Sequence, residues 1–217
     1  MFKKSNKPSK QLYKKKNDNT SLLKKGCLSL HGTIKNSYAS EKDQSKFGSE
    51  CGYEFDKELS NDNNQVYYNP KSNHLMMSVS GTHNVSDVGT DLKMMASGIK
   101  STDRYKQAEM TLGKAKAKYN PSSTTGIGHS LGGAVVSNLD GIDQKVTFNK
   151  AHTNPFTKTP GNETHLRTYG DIVSLASAGN KHTSNIRSDI SLYNPMTWAK
   201  VHNSDQIKKF NYKVPGS

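Results

Sequence analysis

The apolar and polar positions of the chain change character near residue 45. Residues 1–45 are polar, lysine-rich and aperiodic apart from the short patch Cys27-Leu28-Ser29-Leu30. Such a stretch has little apolar surface to bury, so a flexible arm is expected there, with the part from about residue 26 onward leaning on a domain that spans residues 46–217. Residues 47–64 hold few apolar positions and many turn formers, which suits a connector or covering loop. Short apolar runs at 65–68 and 75–79 flank Asn69-Pro70-Lys71-Ser72-Asn73, a composition for a hairpin turn.

Helical spacing follows. Val88, Leu92, Met95 and Ile99 recur on one face, with Asp87 and Asp91 in the early turns where negative charge suits exposed amides. Tyr105, Ala108, Leu112, Ala115 and Tyr119 form a second apolar face, which Asn120-Pro121 ends. Residues 123–127 make a weakly apolar strand, 131–139 a buried helix, 145–148 a strand and 165–169 another. Residues 176–189 read as polar loop, 191–201 as an aromatic-containing segment, and Ser204 caps a short final helix to about residue 210. Strands alternating with helices imply an α/β fold, with a largely parallel sheet covered by helices on both faces. In such a sheet, functional residues gather beyond the C-terminal ends of the strands.

Composition adds a strongly uneven charge. The chain of 217 residues carries a net charge of +13, and residues 1–25, with nine lysines and one aspartate, supply +8 of it. That segment favours anionic partners. Adsorption to an anionic membrane surface is the favoured partner, and contact with nucleic acid phosphates the lesser one. No run of 18 apolar residues is present, so no transmembrane span is expected. The lysines of the N-terminus precede no apolar core of a signal peptide, and the compartment stays open. Cys27 and Cys51 have neither metal nor framework spacing, so unpaired thiols are expected.

The chemistry centres on Gly128-His129-Ser130-Leu131-Gly132-Gly133-Ala134. It sets a serine in G-x-S-x-G spacing between a strand and a helix, where small neighbours let the backbone double back and expose the hydroxyl. A serine needs a histidine to take its proton and a carboxylate to orient that histidine, in the order Ser, Asp, His. Asp171, after a strand in Gly170-Asp171-Ile172-Val173, is the acid preferred over Asp140, Asp143 and Asp189. His202 is preferred over His182, because Met196-Thr197-Trp198-Ala199-Lys200-Val201 before it and a capped helix after it can fix an imidazole. His129 should turn its ring away from substrate and pack around the elbow. The amide of Leu131, at the start of the helix, can stabilise an oxyanion, and Thr82 in Ser80-Gly81-Thr82 can supply a second donor.

This ordered set resembles the class 3 lipase family of α/β-hydrolases over about residues 65–210. The resemblance implies an α/β-hydrolase-like, mostly parallel sheet. It also implies a serine esterase acting on acylglycerols or phospholipids, with Ser130 as nucleophile, Asp171 as acid, His202 as base, and Thr82 with Leu131 as oxyanion hole. The chain departs from the family in having Ser80 where arginine is usual. It also lacks a glycine in Thr147-Phe148-Asn149-Lys150. Residues 83–100 or 149–161 are the candidate lids. A small basic hydrolase of this kind is also similar to lipases carried by some viruses, which would make it virion-associated. Two other classes are compatible with the residues: a serine hydrolase of another type, such as a peptidase or thioesterase, and a non-catalytic binding or structural protein on the same scaffold. No cofactor is expected, and no metal, because the histidines form no ligand cluster.

Overall fold

The computed structural model describes residues 29–83, 98–151, 159–175, 183–186, 198–209 and 212–214. Seven strands form one sheet in the order of the chain: β1 (Glu54–Phe55), β2 (Asn64–Asn69), β3 (His74–Val79), β4 (Ser123–His129), β5 (Gln144–Phe148), β6 (Glu163–Thr168) and β7 (Thr183–Ile186). β1, β2 and β3 pair antiparallel, and β3 to β7 are parallel. The expected hairpin is β2 and β3, with Asn73 in the left-handed region at φ 49°.

Sequential parallel strands joined by right-handed crossovers place their connecting helices on one face. Here those helices are α3 (Asp103–Tyr119), between β3 and β4, and α4 (Leu131–Asn138), between β4 and β5. Tyr105, Ala108, Leu112 and Ala115 of α3 and Val135 and Val136 of α4 pack with Val66, Leu75, Met77 and Val79 of the sheet. The opposite face, with Tyr67, Met76, Ile127, Val146, Phe148 and Leu166, is covered by segments from the two ends of the described chain. They are α1 (Leu30–Asn36) and a 3-10 helix at Ser204–Lys209, whose Ile207 joins the same cluster as Leu30 and Ile34.

That cover belongs to the core. Leu30 and Ile34 are each 1% exposed, and truncating such a side chain to alanine costs ~2–5 kcal/mol. Residues 1–28 lie outside the described residues. α1 is capped by Ser29, whose hydroxyl accepts from the Gly32 amide at 3.1 Å. α2 (Glu41–Glu50) is capped by Ser40, with Glu41 and Asp43 in its first turn. Both starts follow the rule that a side-chain oxygen satisfies an orphan amide. Cys51, at the end of α2, is disulfide-bonded, which overturns the expectation of unpaired thiols. The sequence has one other cysteine, Cys27, which lies outside the described residues.

The weak apolarity of β4 has a packing cause. Gly126 and Gly128 face α4, and a Cβ on Gly126 would stand 2.8 Å from Ile142 Cδ1 and 3.0 Å from Val136 Cγ1. Glycine lets strand and helix approach, so side-chain hydrophobicity is absent where burial is tightest. β6 is polar for a different reason. Glu163 is buried with Lys150 Nζ at 2.8 Å, and Ser137 Oγ donates to it at 2.6 Å. Charge buried in this way persists because it is paired and hydrogen-bonded.

Two strands, β1 and β7, occupy stretches expected to be loop. The helix expected over residues 88–99 falls outside the described residues except for Ile99, which begins a 3-10 turn, Ile99–Ser101. The helix expected from Ser204 is 3-10 rather than α. Residues 84–97 and 152–158 of the two candidate lids lie outside the described residues.

Candidate active site

Because β3 to β6 run parallel and in register, their C-terminal ends share one edge: Val79 pairs with Gly128, His129 with Phe148, and Phe148 with Leu166. Ser80, Ser130, Asn149 and Asp171 follow those ends. Ser130 sits in the turn from β4 to α4 with φ 55° and ψ −124°, a region sparsely populated by residues with a side chain and a mark of stored strain. Its amide donates to Phe148 O at 3.1 Å, and its carbonyl accepts from Ala134 and Ala151 at 3.2 and 3.0 Å. The turn is possible because Gly128 and Gly132 carry no Cβ. On Gly128 a Cβ would meet the Gly132 and Gly133 backbone, and on Gly132 the carbonyls of Val79 and Ser80.

His202, the last residue of α5 (Trp198–His202), brings Nε2 to 2.7 Å from Ser130 Oγ. Its Nδ1 lies 2.9 Å from Asp171 Oδ1. All three residues are buried. Burial pushes the Asp171 carboxyl upward, but hydrogen bonds from His202, Ser174 and the Val173 amide outweigh it and hold the acid below its ordinary range. The Val173 and Ser174 amides donate to Asp171 at 3.3 and 3.1 Å, and the Ser174 hydroxyl donates to it as well. Arg167, fully buried beneath this loop, donates to Asp171 O at 2.9 Å, to Ser174 Oγ at 3.2 Å and to Asn185 Oδ1 at 2.9 Å. Such an acid stays ionised and keeps the imidazole in the tautomer whose Nε2 can accept the serine proton.

Of the other candidates, Asp143 Oδ2 accepts from the Thr124 amide at 2.8 Å and Asp140 pairs with Lys100 at 3.4 Å, both away from Ser130. His182 and Asp189 lie outside the described residues. The first amide of α4, that of Leu131, has no helical partner by geometry and adjoins Ser130. Gly81 packs directly on Ser130: a Cβ there would be 2.8 Å from Ser130 Cβ and from His129 O. Thr82, the next residue, is half-buried beside it.

His129 does more than pack around the elbow. Its Nε2 donates to the His202 carbonyl at 3.0 Å, and its Nδ1 meets Tyr38 Oη at 2.7 Å. The same phenol accepts the Gly81 amide proton at 2.7 Å. Burial first, then the neighbouring His202, lowers His129 to about 3, so its ring is neutral. Asn149 also holds His202, donating Nδ2 to its carbonyl at 3.1 Å. With φ 43°, Asn149 takes the left-handed conformation, which asparagine tolerates better than most residues.

The carbonyl of Ser80 is held from the side of α3. Arg104 of α3 donates to Ser80 O at 2.5 Å and also to Asn63 Oδ1. Sequence reasoning missed Tyr38, Arg104 and Asn149. Only Asn149 had a local signal, as a turn former directly after a strand.

A mostly parallel sheet covered on both faces, with a strained serine between strand and helix, defines an α/β-hydrolase-like fold. No protein-family model matches the sequence, and no curated protein matches it. Among solved structures, the chain is similar to the Lip2 lipase from Yarrowia lipolytica, at 16% identity and a TM-score of 0.46, over 75% of this chain and 77% of that one. It is also similar to a triacylglycerol lipase from Penicillium expansum, at 16% identity and a TM-score of 0.39, over 73% and 79% of the respective chains. Among the described residues, no cluster of His, Cys, Asp or Glu is arranged to hold a metal ion, and no helix is long and apolar enough to cross a membrane.

Proposed function

We propose that the protein is a serine esterase that hydrolyses carboxylic esters of lipids through an acyl-enzyme. The observation that carries this reading is the hydrogen-bonded series Ser130, His202 and Asp171, with separations of 2.7 and 2.9 Å and the serine at φ 55°. Ser130 Oγ attacks the ester carbonyl while His202 Nε2 takes its proton, and Asp171 stabilises the resulting imidazolium. The oxyanion forms against the amides of Leu131 and Thr82. His202 then returns the proton to the departing alcohol. Water, activated by the same imidazole, releases the acid and restores Ser130.

A lipid acyl group is favoured by the surface around the acid. Tyr169, Ile172 and Leu175 are each about 60% exposed on the loop that carries Asp171. Apolar side chains grouped beside a catalytic edge suit contact with acyl chains or a lipid surface. The basic N-terminal segment adds attraction to anionic lipid.

Covalent labelling by a fluorophosphonate tests the reading. Wild-type protein is expected to be labelled, with labelling abolished in Ser130→Ala and reduced ~10⁴-fold or more in His202→Ala. A folded wild type that takes no label is the result for a non-catalytic protein on this scaffold. Labelling with turnover of peptide or thioester in preference to lipid ester assigns another class of serine hydrolase.

A further inference from the structure

A cleft of about 490 Å³ opens beside the proposed oxyanion turn, between the end of α1, the start of α2, and the connection from β1 to β2. His83 forms part of its wall and meets Tyr38 edge-on at 5.4 Å. Gly81, which packs on Ser130, is only two residues earlier, so at most about 7 Å of backbone separates the elbow's neighbour from the cleft.

The lining is polar and incompletely used. Asn61 spends Oδ1 on the Asn63 and Asn64 amides, and Asn63 spends Oδ1 on Arg104, leaving both Nδ2 groups as donors without a partner among the described residues. Gln44 donates Nε2 to Ala39 O at 3.1 Å and keeps Oε1 as an acceptor. Asp62 is exposed and has no ion-pair partner among the described residues. Glu41 and Lys57 also line the cleft, but they neutralise each other at 2.9 Å. Phe55 adds a half-buried apolar ring. Amide donors, an amide acceptor and a carboxylate beside an aromatic face match a ligand whose groups both donate and accept and whose carbon skeleton offers C–H faces.

We propose that this cleft is the subsite for the alcohol part of the ester, and that this alcohol is hydroxyl-rich, a glycosyl or polyol group rather than an alkyl chain. The inference rests on the esterase reading. It divides the substrate in two, with the acyl chain toward Tyr169, Ile172 and Leu175 and the hydroxyls among Asn61, Asp62 and Asn63.

Binding and turnover test it separately. The full chain is titrated calorimetrically with octyl β-glucoside below its micelle concentration and with 1-octanol. The glucoside is expected to bind roughly tenfold tighter, with most of that advantage lost in Asp62→Ala, as befits a hydrogen bond to a charged group. Asp62 is exposed, so the variant keeps the fold, and Phe55→Leu checks the stacking face independently. Equal affinity for glucoside and octanol, or an advantage untouched by both variants, overturns the subsite. Octanoyl glucose is then compared with ethyl octanoate in solution, and a glycosyl diacylglycerol with triacylglycerol in vesicles. A glycosyl preference in either pair supports the cleft and identifies the source it serves, and preference in neither pair overturns it. Ser130 labelling with no glycosyl discrimination leaves the esterase standing and removes the subsite. Glucoside binding without labelling or turnover overturns the esterase and with it the ester subsite, leaving a glycosyl-binding cleft.

Discussion

Tyr38 donates its phenolic proton to Nδ1 of His129, 2.7 Å away, and the direction of that bond is fixed. His129 Nε2 donates to the His202 carbonyl, so Nδ1 must accept. The phenol oxygen meanwhile receives the Gly81 amide proton. Burial raises Tyr38 to about 12, against smaller opposing effects of Gly81 and Arg104, which keeps the phenol a donor. One side chain just past the end of α1 thus joins the proposed oxyanion turn to the residue before Ser130.

Replacing Tyr38 by phenylalanine keeps the ring and strands two polar groups, the Gly81 amide and His129 Nδ1. A loss of about 1–3 kcal/mol in stability is expected, since a buried group left without its partner costs its full desolvation. Urea unfolding gives that figure. Fluorophosphonate labelling should slow at the same time, and unchanged labelling with reduced stability would confine Tyr38 to the fold.

Acid should unfold the protein through His129. Its native value of about 3 lies below the 6.5 of the unfolded chain, so between these values the unfolded state binds the extra proton. Stability therefore rises with pH across that window: it is fully present above about 6.5 and is lost as pH falls toward 3. Asp171, held below its ordinary range, continues the loss at lower pH. Unfolding free energies at pH 7, 6, 5 and 4 should decline, and the decline should be shallower in His129→Gln. Identical slopes would locate the acid sensitivity elsewhere.

Two glycine-to-alanine changes should have opposite signs. At Gly132 the new methyl meets backbone carbonyls of Val79 and Ser80, which cannot move aside, and a cost of about 3 kcal/mol is expected. Gly113 is exposed in the interior of α3, with nothing within 4 Å of an added Cβ, and there alanine should stabilise by about 1 kcal/mol. Thermal melts of both variants beside wild type decide the matter.

Reduction of the bond at Cys51 should destabilise the native state. A native disulfide of this kind stabilises by about 2–4 kcal/mol. Melting with and without reductant measures it, and Cys51→Ser should reproduce the reduced value.

Much of the candidate site was legible because each of its residues carries a local signal in the sequence. Ser130 announces itself by its glycines, and Asp171 and His202 by their order and apolar flanks. Tyr38 gives no such signal, since its role exists only where α1 meets β3 and β4 in space. The cover helices were hidden because α1 buries chiefly Leu30 and Ile34, too few to set a period, although Ser29 and Ser40 carried readable caps. β4 looked weak because glycine supplies its close packing, and the start of β6 was missed because Glu163 is buried by pairing rather than by apolarity.

The two covering segments meet. Leu30 donates its amide to Tyr212 O at 2.9 Å, and Ser29 bridges Lys213. Tyr38 belongs to the early segment and His202 stands just before the late one. Because His202 follows every strand of the sheet, β1 to β6 can emerge and pair during vectorial synthesis before the imidazole has left the ribosome. Until residues 204–214 follow, the sheet face opposite α3 and α4 has only its early cover and lacks Ile207 and Val214. The proposed esterase would consequently be silent as a nascent chain, and a truncation removing the last 20 residues should expose apolar surface and abolish labelling together.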